Sequence, residues 1–207
     1  MKALALLLVA FLIFVGSALA VSSADDFDRA SLGPNWRIHV GDPGIIGSSD
    51  LGLRSGKFGL LSWAHTWGVG PNQFSEAEIS EGSDEGMAKG VYVRRRASDG
   101  ARYQLHYDTN GTPAEPRPHW QIKYDGVSSP KTRVLAIALS PSAPVAGDVL
   151  RIEVQGETLR GYKNGQLVLT ATDSAISSGT FGVAFTTSGL VIPLPSRVFE
   201  RWAGGAL

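Results

Sequence analysis

Past its first twenty residues the chain carries its apolar side chains in short runs, many alternating with polar ones, and nowhere sustains a helical repeat. Alternation gives a strand one face toward a core and one toward solvent. The runs are separated by Gly, Pro, Asn, Asp and Ser, and 25 glycines with 11 prolines suit many turns. The pattern predicts strands at 36–40, 51–54, 59–63, 73–80, 90–96, 103–107, 120–124, 134–139, 149–155, 158–163, 166–172, 179–185 and 196–202. Two Pro-rich segments, 108–119 and 140–147, read as long loops. More than ten strands without a helix leave a sandwich or a barrel. Neither an internal repeat nor a linker interrupts them, so one domain over 21–207 is expected.

Two hairpins are explicit. Gln155-Gly156-Glu157 turns the strand of Leu150, Ile152 and Val154 into that of Leu159. Asn164-Gly165 then returns it into 166–169, because Asn-Gly accepts the positive φ angles of a tight hairpin.

The first residues have a different character. Met1-Lys2, an uncharged apolar run from Ala3 to Val15 and Ser17-Ala18-Leu19-Ala20 form the pattern of a secretory signal, residues 1–20. The run is shorter than the ~20 apolar residues that span a bilayer, which favours cleavage over anchoring. The expected mature protein is secreted or extracytoplasmic, with no membrane contact after cleavage. It has no cysteine, so its stability has to come from a core rather than from disulfides. Without Lys2 it carries 18 basic and 19 acidic side chains, a balance that gives no reason to expect nucleic acid.

Alternation also sorts the faces. Ser75, Ala77 and Ile79 fall on one side of their strand, and Phe74, Glu76 and Glu78 on the other. Val91 and Val93 point inward, with Tyr92, Arg94 and Arg96 outward; Tyr103, Leu105 and Tyr107 read as core, leaving Gln104 and His106 outside. If these strands are neighbours, their outer residues make one functional surface. Arg94-Arg95-Arg96 is then split between faces rather than forming a patch.

Asp25-Asp26-Phe27-Asp28-Arg29 with Leu32-Gly33-Pro34-Asn35-Trp36 resembles the opening strand of concanavalin A-like lectin/glucanase domains. Gln73 to Ala77, Gly90 to Arg94 and, above all, Gly147 to Gly156 running on through Tyr162 to Val168 are similar to their later segments, in the same order. Phe199-Glu200-Arg201-Trp202 would close the fold beside the first strand. The resemblance covers essentially the whole mature chain. It implies an all-β jelly-roll sandwich of two antiparallel sheets, one convex and one concave, with a glycan commonly held on the concave sheet.

This fold hosts lectins, hydrolases, lyases and adhesion modules alike, so the site is argued separately. Glu76-Ala77-Glu78-Ile79-Ser80-Glu81 resembles the Glu-x-Asp-x-x-Glu signature of laminarinase-type glycoside hydrolases, with Glu76 as nucleophile and Glu81 as acid. The odd separation of 76 and 81 places them on opposite faces of a regular strand, and by chain order the family's catalytic strand corresponds to 103–108. A polysaccharide lyase would use Arg94, Gln104, His106 and Tyr92, but the family's Gln-Ile-His segment is met only by Gln121-Ile122-Lys123. Trp67 and Trp63 lead to a Gly-rich loop where an indole can stack on a sugar; Trp36, Trp120 and Trp202 read as packing. The histidines at 39, 65, 106 and 119 lack metal-ligand spacing. No cofactor is expected, a structural calcium near Asp25, Asp26 and Glu200 being left open. Asn110-Gly111-Thr112 is a glycosylation sequon.

The reading that results is a secreted, non-catalytic carbohydrate-binding or surface-associated domain. Its poly- or oligosaccharide would meet Trp67, Phe74, Glu76, Glu78, Tyr92, Arg94, Gln104 and His106 on the concave sheet. A polysaccharide-active enzyme, and a structural module that self-associates or meets an extracellular protein partner, are the alternatives.

Overall fold

The computed structural model describes residues 22–65, 69–80, 87–108, 119–126, 132–139, 143–187 and 195–207, with the backbone alone at 57, 87, 108 and 187. They form thirteen strands: β1 (Ser22–Asp25), β2 (Trp36–Ile46), β3 (Asp50–Trp63), β4 (Gln73–Ile79), β5 (Met87–Arg95), β6 (Arg102–Asp108), β7 (His119–Asp125), β8 (Thr132–Leu139), β9 (Val149–Gln155), β10 (Thr158–Lys163), β11 (Gln166–Thr172), β12 (Thr180–Thr187) and β13 (Ser196–Ala206). Every strand pairing is antiparallel.

The hydrogen-bonded order is β11-β10-β9-β4-β13-β3-β12-β5-β6-β7-β8, with β1 beside β13 and β2 beside β3. It divides naturally at β13 and β3, which meet only from Ser196↔Leu53 to Phe199↔Leu51. On one side lies a back layer (β11, β10, β9, β4, β13, β1), on the other a front layer (β2, β3, β12, β5, β6, β7, β8). The layers fold onto each other. Trp202 Nε1 of β13 donates to Ser75 Oγ of β4 (3.0 Å), and that hydroxyl donates across the core to the Gly182 carbonyl of β12 (2.8 Å). At Gly161 of β10 a Cβ would stand 2.7 Å from a methyl of Leu105 in β6, so its absence lets the layers approach there. Of the two architectures the strand pattern allowed, this is the sandwich, built as a jelly roll.

The expected strands recur, with β1 added ahead of them and two further changes. The strands foreseen at 51–54 and 59–63 are one long β3, and β2 runs past 40 through Pro43-Gly44. Register shifts at Gly41/Asp42 and Asp42/Pro43 carry β2 through this irregular stretch. Gly41, at φ 81°, would place a Cβ 1.6 Å from the Phe58 carbonyl oxygen, so no side chain fits that crossing. The Asn164-Gly165 turn has φ 51° and 73°, as its sequence required.

The core is aromatic at its centre. Trp202 stacks on Trp63 (5.0 Å between centroids) and on Phe181 (5.8 Å), and meets Trp36 edge-on at 4.8 Å. Such pairs add about 0.5–1.5 kcal/mol each beyond the area they bury. Trp36, Trp63, Trp120 and Trp202 all lie in the core, Trp63 therefore without a sugar-facing ring.

Candidate functional site

The layer assignment decides which of the expected site residues can act together. β4 is in the back layer, between β9 and β13, whereas β5 and β6 are neighbours in the front layer. Phe74, Glu76 and Glu78 therefore emerge from the back of the molecule, and Tyr92, Gln104 and His106 from the front. The single surface expected from strand parity does not form: parity fixes a side within each strand, but not which strands are neighbours. On the back, the Arg151 guanidinium lies 4.0 Å from the Phe74 ring centroid and pairs with Glu76 at 3.3 Å, while Arg201 lies 3.7 Å from Glu78. Trp67, Glu81 and the sequon at 110–112 lie outside the described residues, as does the signal segment.

Arg94 is a second correction. A bulge lets β5 spend one residue more than β12 between Gly182↔Tyr92 and Thr180↔Arg95, and Arg94 adopts φ 51° there. Its side chain leaves the front face and donates to the carbonyls of Pro71 (2.9 Å), Ile176 (2.9 Å) and Gly156 (2.7 Å). It holds loops together at the end of the sandwich. Past the bulge Arg95 stands near Tyr92, Arg102 and Arg37, in the place expected for Arg94.

The front face has a simple plan. Cross-strand register sets Arg37, Ser62, Gly182, Tyr92, Gln104 and Lys123 in one row over six strands, roughly 24 Å at the usual strand spacing. The adjacent row is Leu60, Ala184, Gly90, His106 and Gln121. Small residues thus occupy β12 and β5 in the middle. They floor a trough of about 190 Å³ lined by Phe58, Ala88, Ala184, Gln104, His106 and Lys123 among others. Gly90 has to be glycine: a Cβ would lie 2.6 Å from the Leu105 carbonyl and 2.9 Å from Gln104 Nε2.

Tyr92 supports this face instead of touching a ligand. Fully buried, it clusters with Leu60 and Ala184, and its hydroxyl donates to the Leu61 carbonyl at 2.5 Å. Burial pushes its phenol well above the usual range, against the opposing pull of Arg102 and Arg95. Arg102 lies over the ring at 5.9 Å, donates to Gln104 Oε1 (3.1 Å) and pairs with Asp125. Gln104 so keeps its amide N–H₂ for the trough. The Gln121 amide nitrogen is 2.7 Å from His106 Nε2; with the amide donating, the imidazole proton sits on Nδ1. His39 Nε2 bonds Ser62 Oγ at 2.8 Å, and burial followed by the charges of Arg95, Arg37 and Arg102 holds its pKa down at about 4. The aromatic surface left open to a ligand here is Phe58, 47% exposed at the trough edge.

This arrangement constrains the chemistry. Among the described residues Asp125 is the one carboxylate lining the trough, and Arg102 and Lys123 share it. No second carboxylate faces Asp125 in that lining, as the pair used in retaining glycoside hydrolysis would. Lyase chemistry asks a Tyr or His to move a proton at the substrate, and the Tyr92 hydroxyl is committed to backbone inside the sheet. Asp25 does not offer itself to calcium either. Its carboxylate accepts from Arg29 (2.6 Å twice), Trp36 Nε1 (2.6 Å) and the Phe27 N–H (2.8 Å). Burial opposes its charge, yet these donors hold its pKa below the usual value. No metal-holding group of three or more His, Asp or Glu occurs among the described residues.

Several face residues escaped the sequence reading. Gln121 and Lys123 alternate with core Trp120, Ile122 and Tyr124, and Arg102 shares the parity of Gln104 and His106, so their side of the sheet was legible. Arg95 was not, because nothing in Arg94-Arg95-Arg96 marks the bulge. Phe58 fell just outside its expected strand.

Layers and topology are those of a concanavalin A-like jelly roll. Solved structures agree. Carbohydrate binding module CBM66 from Bacillus subtilis is similar over 83% of this chain and 92% of its own, with TM-score 0.53 and 17% identity. Bacillus licheniformis beta-glucanase matches over 90% and 98%, with TM-score 0.57 and 13% identity. The exoplasmic/lumenal domain of VIP36, in a Ca²⁺/Man3GlcNAc-bound form, matches over 84% and 86%, with TM-score 0.60 and 14% identity. At such identities the likeness is one of fold. No protein-family model and no curated protein matches the chain.

Proposed function

We propose that this protein is a secreted, non-catalytic carbohydrate-binding domain whose glycan lies in the front-layer trough. The observation that carries the reading is the trough itself: a floor of Ala88, Gly90 and Ala184 between exposed Phe58 and the amide of Gln104. Sugars present C–H faces that pack on an aromatic ring, and hydroxyls that pair with amides whose own geometry is fixed. Arg102 fixes the Gln104 amide. A carbohydrate binding module and a mannose-oligosaccharide complex of the same fold support the choice. Export rests on the N-terminal segment 1–20.

A glycan array probed with the secreted protein tests this. Phe58→Ala and Gln104→Ala should each weaken the bound glycan on the order of tenfold, as loss of one packing or amide contact does. A blank array would favour the structural module. Release of reducing ends from a bound polysaccharide would favour the hydrolase.

A further inference from the structure

The front face is charged in a way the whole chain is not. Arg37 and Lys123 stand at the two ends of the row across the sheet, with Arg95 and Arg102 beside Tyr92. Among the described residues Asp125 is shared by Arg102 and by Lys123 at 3.8 Å, and Asp99 attracts Arg95. Arg37 and Arg95 have no side-chain hydrogen bond or ion pair among the described residues, and Arg95 Nε is buried without a partner. A buried guanidinium N–H without a partner is costly, and an anion on the outer nitrogens of the same half-buried group would offset its charge. It also lies within the electrostatic reach of two further arginines, which costs more until an anion arrives.

From this, resting on the glycan reading above, we infer that the front face takes an acidic polysaccharide that runs from the trough onto the neighbouring row, where its carboxylate or sulfate oxygens meet Arg95 and Arg37. Guanidinium groups suit both anions, since each offers two oxygens to a planar pair of donors. The Gln104 amide and Phe58 then hold the sugar rings between charged groups. His39 registers the same field: its depressed titration has the arginines among its causes, after burial.

Titration calorimetry on the secreted protein tests the inference with four probes: a polyuronate, chondroitin sulfate, neutral laminarin and a single-stranded oligonucleotide. The expected result is binding of the polyuronate, the sulfated glycan or both, at least about tenfold tighter than laminarin, and weakening several-fold as salt rises from about 50 to 200 mM. Polyuronate alone identifies carboxylate as the partner, chondroitin sulfate alone identifies sulfate. Arg95→Gln and, on the exposed edge, Arg37→Gln should each weaken the acidic glycan roughly tenfold. In the free protein Arg95→Gln should also move His39 titration upward, which shows by NMR that the fold and the field are intact. Equal, salt-insensitive binding of laminarin would overturn the acidic ligand and leave the glycan site standing. Binding of the oligonucleotide alone, or of no probe, would overturn both.

Discussion

The side-chain oxygen of Gln73 accepts the backbone N–H of Arg94 at 3.1 Å, a bond from the back layer to the bulge of the front one. The same amide donates to the Gly179 carbonyl (2.8 Å) and the Gly70 carbonyl (3.0 Å). One buried side chain thus satisfies backbone groups that a bulge takes out of the ladder. The clamp fixes where β5 changes parity. Upstream of it Tyr92 belongs to the front face; beyond it Arg94 goes to the rim and Arg95 to the face.

Removing the clamp or its beneficiary should be costly. Arg94→Ala strands three carbonyls at the end of the sandwich, and Gln73→Leu strands the Arg94 N–H and two carbonyls. Each should destabilise by about 2–4 kcal/mol, the range for buried groups left unpaired. Urea unfolding checks this as a lower midpoint at unchanged slope. Arg94→Lys should recover little, because one ammonium cannot reach three carbonyls spread over three loops.

The trough floor makes a separate claim. Gly90→Ala would put a methyl against the Leu105 carbonyl and the Gln104 amide nitrogen. A cost of about 1–3 kcal/mol is expected, the usual range for overpacking. Displaced Gln104 should weaken glycan binding further than the stability loss explains, so binding is to be measured well below the variant's melting temperature.

The residues show why the fold was readable and the site only partly so. Alternation in 73–79, 91–93 and 103–107 identified core side chains correctly, since burial is decided strand by strand. Neighbourhood is decided by long-range pairing: β4 joins β13, more than a hundred residues away, and no local signal reports that. Tyr92 was placed on the right face, yet Leu60 and Ala184 from other strands turn its ring into support. Phe74 met an arginine from β9 on the opposite side. Gln104 and His106 kept their expected side because their strand has no bulge against β5 or β7, but both are buried, at 7% and 4% exposed, and not open to solvent as expected.

Acid should unfold this protein in two stages. His39 has its pKa lowered from 6.5 to about 4 in the fold, so between these values the unfolded chain binds the proton first. Its contribution is whole above pH 6.5 and fades as pH falls toward 4. Asp25 is held below its unfolded value of 3.8 despite burial, by the donors of Arg29, Trp36 and Phe27. Its contribution persists above that value and is lost as pH drops through the folded pKa. Urea midpoints should therefore fall first over mildly acidic pH and then again below about pH 4. His39→Gln should flatten the first stage only. Asp25→Asn should remove only part of the second, since Asp148 and Asp173 are also held low, and cost about 3 kcal/mol at neutral pH, because Arg29 and Trp36 lose a buried partner.

The separation of the two faces gives the sharpest test of all. Glu76 and Glu78 are half-exposed on the back layer, paired with Arg151 and Arg201, with the whole sandwich between them and the trough. Glu76→Gln and Glu78→Gln should leave glycan affinity within error and change stability by no more than about 0.5 kcal/mol, as exposed ion pairs do. Gln104→Ala, tested beside them, should lower affinity on the order of tenfold. If Glu76→Gln instead abolished binding or a sugar-releasing activity, the ligand would sit on the back layer among Phe74, Arg151 and Glu76. The front face would then be left with its cations and no role.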